Sequence, residues 1–337
     1  MQFKTVFQKK MKNKTIIQES LFDLIRKKAP THISFADKVS EVLGINIDAV
    51  YRRIRGENLV SLDEAVTLCK YFSVSFDELL YGKDKMQYSF VPTDINDVKS
   101  YLAYAKEMAF IAEKIQPTPT SEIRLVAADI PAFYYAAYKE LSLFQLFSWD
   151  KNVYDFSGTF EDFINEIDVE SISQYGNIIF KNFQKTPSSE IWTDNTIDST
   201  LKSLKYHFEM EHFNDSSVPL LICEQLLDLI NELQEWIKNG TKGSFNTPFK
   251  FYTNEVDTGN TLILMKNEKQ NRCVIRLFTI NGLNINDMRF CQEVEHWIDS
   301  LIKRSVLISG ISSKERFKFF TAQKQKILTL IDFIKTF

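Results

Sequence analysis

Residues 34–56 read SFADKVSEVLGINIDAVYRRIRG. Ser34 is a helix-capping residue type, and Asp37 three positions on fits a capping box. Val39, Val42 and Leu43 recur at helical spacing, which marks a buried stripe. Ser40 is small, as a second helix passing close by requires. Gly44 stands where the chain must turn tightly, since a positive φ costs glycine little. Ile45 re-enters the core. A second short helix starts at Asn46 or Ile47. Val50 and Ile54 face inward on it, and Tyr51, Arg52, Arg53 and Arg55 are left for solvent or phosphate. Gly56 occupies the C-cap position. The spacing therefore predicts helix, tight turn, helix.

The flanks extend the pattern. Residues 17–29 (IQESLFDLIRKKA) place Leu21, Leu24 and Ile25 on one side of a preceding helix. Ser61 with Glu64 forms a capping box that opens SLDEAVTLCKYF, and Ser75 with Glu78 opens a final short turn, SFDELL. Five helices of this size make a compact unit over residues 17–81.

With those motifs in place, residues 34–80 resemble the Cro/C1-type, lambda-repressor-like helix-turn-helix. The string AVYRRIRGE followed by SLDEAVTLCKYFSVSFDELL is similar to its BetR-like bacterial branch. The resemblance spans roughly a quarter of the 337 residues if the leading helix is included. It implies a DNA-binding domain whose second helix of the pair lies in the major groove. Carried onto this chain, it makes Asn46, Ile47, Asp48, Tyr51 and Arg52 the candidate base contacts. Asn pairs with adenine, Arg with guanine, and Asp accepts from cytosine. Ser34, Lys38, Arg53 and Arg55 become the candidate phosphate contacts. Asp48 has a second reading, as a helix-start residue favourable to the dipole. One departure stands out. Arg53 falls where many relatives carry an apolar residue, and Ile54 follows one position later. That order puts the rotation of the helix, and with it the individual base contacts, in question.

Composition sets wider bounds. A chain of 337 residues that is 44% hydrophobic can bury two substantial cores. Net charge is −3, which excludes a uniformly basic nucleic-acid coat. Residues 1–80 hold 13 Lys and Arg against 10 Asp and Glu, and the remainder holds 28 against 34. The early excess is concentrated in Lys4, Lys9, Lys10, Lys12, Lys14, Arg26, Lys27 and Lys28. A basic arm over residues 1–16 can grip phosphates or a minor groove, or can be a solvating tail. No apolar stretch precedes a small-residue cleavage site at the N-terminus, and none approaches the roughly 18 apolar residues of a membrane span. Cys69, Cys223, Cys273 and Cys291 lack CxxC spacing and fit buried thiols in a reducing cytosol. A cytoplasmic protein without a membrane partner is expected.

Residues 82–96 are polar and read as a linker. Residues 97–116 predict a long connecting helix. Val98, Leu102, Ala105, Ala109 and Ala112 recur near 3.5-residue spacing on it, with Met108 beside the seam. That pattern suits a homodimeric coiled coil or packing on the chain's own effector domain. Residues 117–337 form the effector or oligomerisation module. Its start, IRLVAADI, is strand-like and runs into Phe133, Tyr134, Tyr135, Tyr138, Phe144, Phe147 and Trp149. Those rings suit a core, a subunit interface or the pocket of a small-molecule effector. Helical patterns follow at 160–166, 171–183, 195–213 and 220–239. Strands are expected at 249–255 and 261–266, flanking the hairpin signal VDTGN, with a third at 272–280. Two long helices, near 285–308 and 313–337, close the chain. The expected fold class is multidomain and α-rich. It joins a five-helix lambda-repressor-like domain to a larger, mostly helical α/β domain with a short antiparallel sheet.

Catalytic signatures are missing. The chain has no GxGxxG, no Walker phosphate loop and no GxSxG. His207 and His212 are five residues apart, about 140° on a helix, which is poor for joint metal ligation. Glu293, Glu295 and His296 read as a solvated helix face, so no metal, cofactor or catalytic residue is expected. The expected function is a sequence-specific DNA-binding transcriptional regulator whose C-terminal module dimerises or senses a ligand. The alternative is a protein–protein adaptor using a helix-turn-helix fold that no longer reads DNA.

Overall fold

The computed structural model describes residues 17–29, 34–74, 76, 90–92, 95–114, 118, 120–154, 156–268, 271–277 and 280–336. The expected basic arm over 1–16 and most of the SFDELL turn lie outside them. The chain divides into two compact units, Met1–Gln87 and Tyr88–Phe337.

Among its described residues the first unit has helices joined by turns and no strand. Its elements are α1 (17–28), α2 (Phe35–Leu43), α3 (Ile47–Ile54) and α4 (Leu62–Phe72). Leu21, Phe22 and Ile25 of α1 pack with Ala36, Val39, Val50, Leu68 and Phe72 in one core, and Ile45 and Ile54 sit at its edge. Phe22 takes the deeper place expected of Leu24, which is only half-buried. Gly44 ends α2 with φ of 64°, and its amide reaches back to Ser40. The Ser61–Glu64 capping box forms at α4. The expected box at Ser34 does not: Ser34 holds the N-cap position without a side-chain cap bond.

The second unit is built on one nine-stranded mixed sheet. Its strands are β1 (Phe90–Pro92), β2 (Glu122–Ala127), β3 (Ser188–Trp192), β4 (Thr241–Lys242), β5 (Thr247–Thr253), β6 (Leu262–Lys266), β7 (Arg272–Leu277), β8 (Asn281–Ile285) and β9 (Val306–Leu307). The order is β1-β8-β7-β6-β2-β3-β5-β4, and β9 pairs the far end of β5. The centre, β2-β3-β5, is parallel, and the rest is antiparallel. The helices are α5 (Val98–Lys114), α6 (Ala132–Tyr135), α7 (Lys139–Val153), α8 (Phe160–Glu166), α9 (Val169–Lys185), α10 (Asp198–Glu209), α11 (Ser217–Asn239), α12 (Met288–Ile302) and α13 (Ser313–Thr336). Alternation along the strands separates two cores. Leu125, Trp192 and Ile263 join a large aromatic core with α5–α11 and α13. Val126, Ile191 and Leu264 join a smaller one under α12.

Three expectations change here, and one of the two readings of α5 is met. The sheet is mixed rather than short and antiparallel, because α6–α9 carry β2 to β3, and α10, α11 and β4 carry β3 to β5. The segment around VDTGN is no hairpin, since β2 and β3 lie between β5 and β6. The stretch read as a linker gives residues 90–92 to the sheet edge and buries Ile95, whose amide bonds Asn281. The α5 seam is spent within the chain: α5 packs along α9, and Ala105 and Ala109 are buried. The aromatic run 133–149 is core. Tyr134, Tyr135, Phe144, Phe147 and Trp149 are all at most 5% exposed.

Candidate nucleic-acid interface

Helix α3 is held at both ends and from beneath. At its start, Asn46 is extended, and its side-chain oxygen accepts from the Ala49 amide at 2.8 Å. Ser40 Oγ donates to the Ile45 carbonyl at 2.5 Å and ties the turn to α2. At its end Gly56 takes φ of 72°. The Gly56 amide donates to Arg53 O at 3.0 Å and the Glu57 amide to Arg52 O at 2.8 Å. These two bonds make a Schellman ending, which suits glycine. From beneath, buried Gln18 of α1 donates to Arg53 O (2.6 Å) and Asn58 O (2.8 Å) and accepts from Val60 N (3.0 Å). Three bonds from one amide fix the chain just past α3.

The anchored side of α3 is Val50, fully buried, with Ile54 and Arg53 beside it. Arg53 is where the unusual Arg-Ile order resolves. Its guanidinium grips Glu64 of α4 through two bonds, of 2.8 and 3.2 Å, and donates to the Ala49 carbonyl. Burial would raise the Glu64 carboxyl, but the Arg53 bond and the Ser61 amide outweigh it and hold it low. An arginine fills the half-buried position because a carboxylate waits there, so α3 keeps a regular course.

The opposite side is open. Asn46, Ile47, Asp48, Tyr51 and Arg52 are all exposed. Ile47, Asp48, Tyr51 and Arg52 span an arc of about 140° on the helix. Among the described residues, no hydrogen bond engages the side chains of Asp48, Tyr51 or Arg52. Four of the five candidate base contacts thus share one face. Asn46 differs in that its oxygen already serves as the cap.

The four candidate phosphate contacts do not behave alike. Ser34 is exposed with its hydroxyl unused for capping. Lys38 lies against the Tyr71 ring at 5.2 Å and pairs with Glu41 at 2.9 Å; Tyr71 and then Glu41 hold its ammonium above the usual lysine range. Arg53 is paired in two bonds with Glu64 and is half-buried. Arg55 is exposed and paired in two bonds with Glu57, whose carboxyl that pairing lowers. Sequence reasoning missed Gln18, Glu57, Glu64 and Tyr71 as partners. An acid two positions after Arg55 was the one local signal available.

In the second unit, Glu295 is no free acid: it pairs with Lys266 and lies 3.7 Å from Arg124. Among the described residues, no group of three or more His, Cys, Asp and Glu is arranged to hold a metal, and no helix is long and apolar enough to cross a membrane. No known protein-family model, curated protein or solved structure matches the chain.

Proposed function

We propose that the chain is a sequence-specific DNA-binding transcriptional regulator. The N-terminal unit lays α3 in the major groove, and the C-terminal unit supplies dimerisation or ligand sensing. The observation that carries this reading is the single exposed face of α3. Among the described residues, no hydrogen bond engages Asp48, Tyr51 or Arg52 there, on a helix bonded at both ends. Rigid, uncommitted donors and acceptors are what base-edge reading requires. One such face makes few base contacts, and a symmetric dimer doubles them over half-sites about one helical turn apart.

The adaptor reading keeps a specific observation of its own. Ile47, Leu59 and Leu62 are 42%, 61% and 71% exposed, and Arg53 and Arg55 are already paired.

The deciding experiment is selection of bound fragments from sheared genomic DNA by the full chain, repeated with Arg52→Ala. Binding that weakens steeply with salt, with a sequence preference that Arg52→Ala relaxes by about 1–3 kcal/mol at one position, supports the DNA reading. Absence of any salt-dependent binding overturns it in favour of the adaptor.

A further inference from the structure

Helix α10 ends at Glu209, and Glu211 adopts φ of 55°. The chain doubles back, so His212 returns to His207 instead of lying a third of a turn away on a continuous helix. The two rings meet with Nδ1 atoms 2.8 Å apart. On its other side, His207 Nε2 lies 3.0 Å from Ser148 Oγ of α7. Asn152, one turn after Ser148, places its Nδ2 2.6 Å from the Ser148 carbonyl, 3.3 Å from His207 Nε2 and 3.4 Å from Ser148 Oγ. Ser203 Oγ is 2.7 Å from Ser148 Oγ.

These contacts fix the protons. A carbonyl only accepts, so the Asn152 atom facing it is the amide nitrogen. The same nitrogen faces His207 Nε2, which must then be the bare acceptor. The His207 proton sits on Nδ1 and is donated to His212 Nδ1, leaving the His212 proton on Nε2. The result is a serine hydroxyl beside an unprotonated imidazole nitrogen, with the imidazole oriented by a third group. That is the nucleophile–base–orienter arrangement of covalent catalysis. His207 is fully buried between Phe144 and Phe147, while Ser148 is half-buried and Asn152 and Tyr206 on its rim are exposed.

We propose that Ser148 is a nucleophilic site that takes acyl groups from small esters, with His207 as its base and His212 and Asn152 as positioning residues. Ser148 Oγ bonds the acyl carbon as its proton passes to His207 Nε2. The ester C–O bond then breaks, and the departing oxygen takes that proton. Water attacking the acyl-serine by the same route releases the acid and restores the hydroxyl. Small esters are the class named because Ser148 is half-buried beside the exposed Asn152. The assignment is independent of DNA binding.

The test is incubation of the full chain with p-nitrophenyl acetate, following nitrophenolate release and locating the acetyl group by peptide mass spectrometry. The expected result is a burst with acetyl on Ser148, absent in Ser148→Ala. His207→Gln is expected to slow it on the order of 10²-fold or more. Because His207→Gln alters a buried site, His212→Asn is the second variant. Its side-chain oxygen can still accept from His207 Nδ1, so it should retain more of the burst than His212→Phe at equal helix content. Acetyl found on lysines with none on Ser148, an unchanged burst in Ser148→Ala, or equal rates in His212→Asn and His212→Phe would overturn the assignment.

Discussion

The two units treat charge in opposite ways. In the first, the charged side chains of α3 and its surroundings stay at the surface or half-buried. In the second, a carboxylate and an ammonium lie at the centre of the aromatic core. Glu190 and Lys242 are both fully buried. Glu190 accepts from Tyr134 OH (3.0 and 3.1 Å), Trp192 Nε1 (3.0 Å) and Ser188 Oγ. Lys242 donates to Ser188 Oγ at 2.7 Å and lies 3.4 Å over the Phe183 ring. Burial pushes the carboxyl up and the ammonium down, each toward its neutral form. A surface face can exchange water for another partner, whereas a buried network has no such alternative and ties strands β3 and β4 to α6.

The largest expected effect tests that contrast. Glu190→Ala removes the acceptor of three donors and leaves Lys242 without its countercharge. The cost should be about 3–5 kcal/mol, as for other buried pairs broken on one side. All four tryptophans, Trp149, Trp192, Trp236 and Trp297, lie in the second unit, so tryptophan fluorescence in urea reports that unit alone. The α3 amides should exchange with solvent at an unchanged rate. A fluorescence midpoint that does not move would mean the network is dispensable.

A second effect of similar kind comes from the histidine pair. Burial, then His212 and Lys151, lower His207 to about 4. The unfolded chain, with an ordinary histidine near 6.5, binds the proton first. Stability from this group is therefore complete above pH 6.5 and is lost as pH falls toward 4. The loss should reach about 3 kcal/mol in the tryptophan-monitored transition. His207→Gln should flatten that segment of the profile; an unchanged slope would place the acid sensitivity elsewhere.

Legibility in the sequence follows the same division. The α2–α3 turn could be read because its signals are local: Gly44, Gly56 and the Ser61–Glu64 box each act within a few residues. The Arg53–Glu64 pair spans eleven residues and crosses between helices, so Arg53 looked like a surface cation. Strand β3, SSEIW, escaped notice because three of its five residues are polar, yet all five are buried. Its glutamate is satisfied by Tyr134, 56 residues away, and a hydropathy pattern does not record such partners. The His207–His212 contact was hidden by assuming a helix continues past Glu209. The parallel centre of the sheet was hidden by distance too, since β2 and β3 are joined through four helices.

A smaller effect is expected at Gln18, where the first unit comes nearest to the buried style of the second. Gln18 is 8% exposed; it shares Arg53 O with the Gly56 amide, and it is the one hydrogen-bond partner, among the described residues, of two backbone groups, Asn58 O and Val60 N. Gln18→Leu keeps the volume but strands those groups beside the core, at about 1–3 kcal/mol. The readout is amide exchange of residues 53–60 in the full chain. Protection lost there first, ahead of α4, is the expected result; uniform loss across the unit would make Gln18 an ordinary core residue.

The smallest stability effect should accompany a clear effect on binding. Arg55 and Glu57 form a two-bond pair at the surface, with side chains 56% and 51% exposed. Water solvates both groups when the pair opens, and salt screens what remains, so such pairs contribute little. Arg55→Ala should leave the melting temperature and the α3 exchange rates unchanged. If the exposed end of α3 meets a phosphate, however, the arginine exchanges Glu57 for that phosphate and releases a condensed counterion. Arg55→Ala should then weaken binding about equally across sequences and reduce the salt slope by about 1. Glu57→Gln should do the reverse, since it frees the arginine and removes a negative charge from the same edge. If Arg55→Ala instead changed sequence preference while sparing the salt slope, Arg55 would belong among the base-reading residues and the exposed arc of α3 would extend a full turn further.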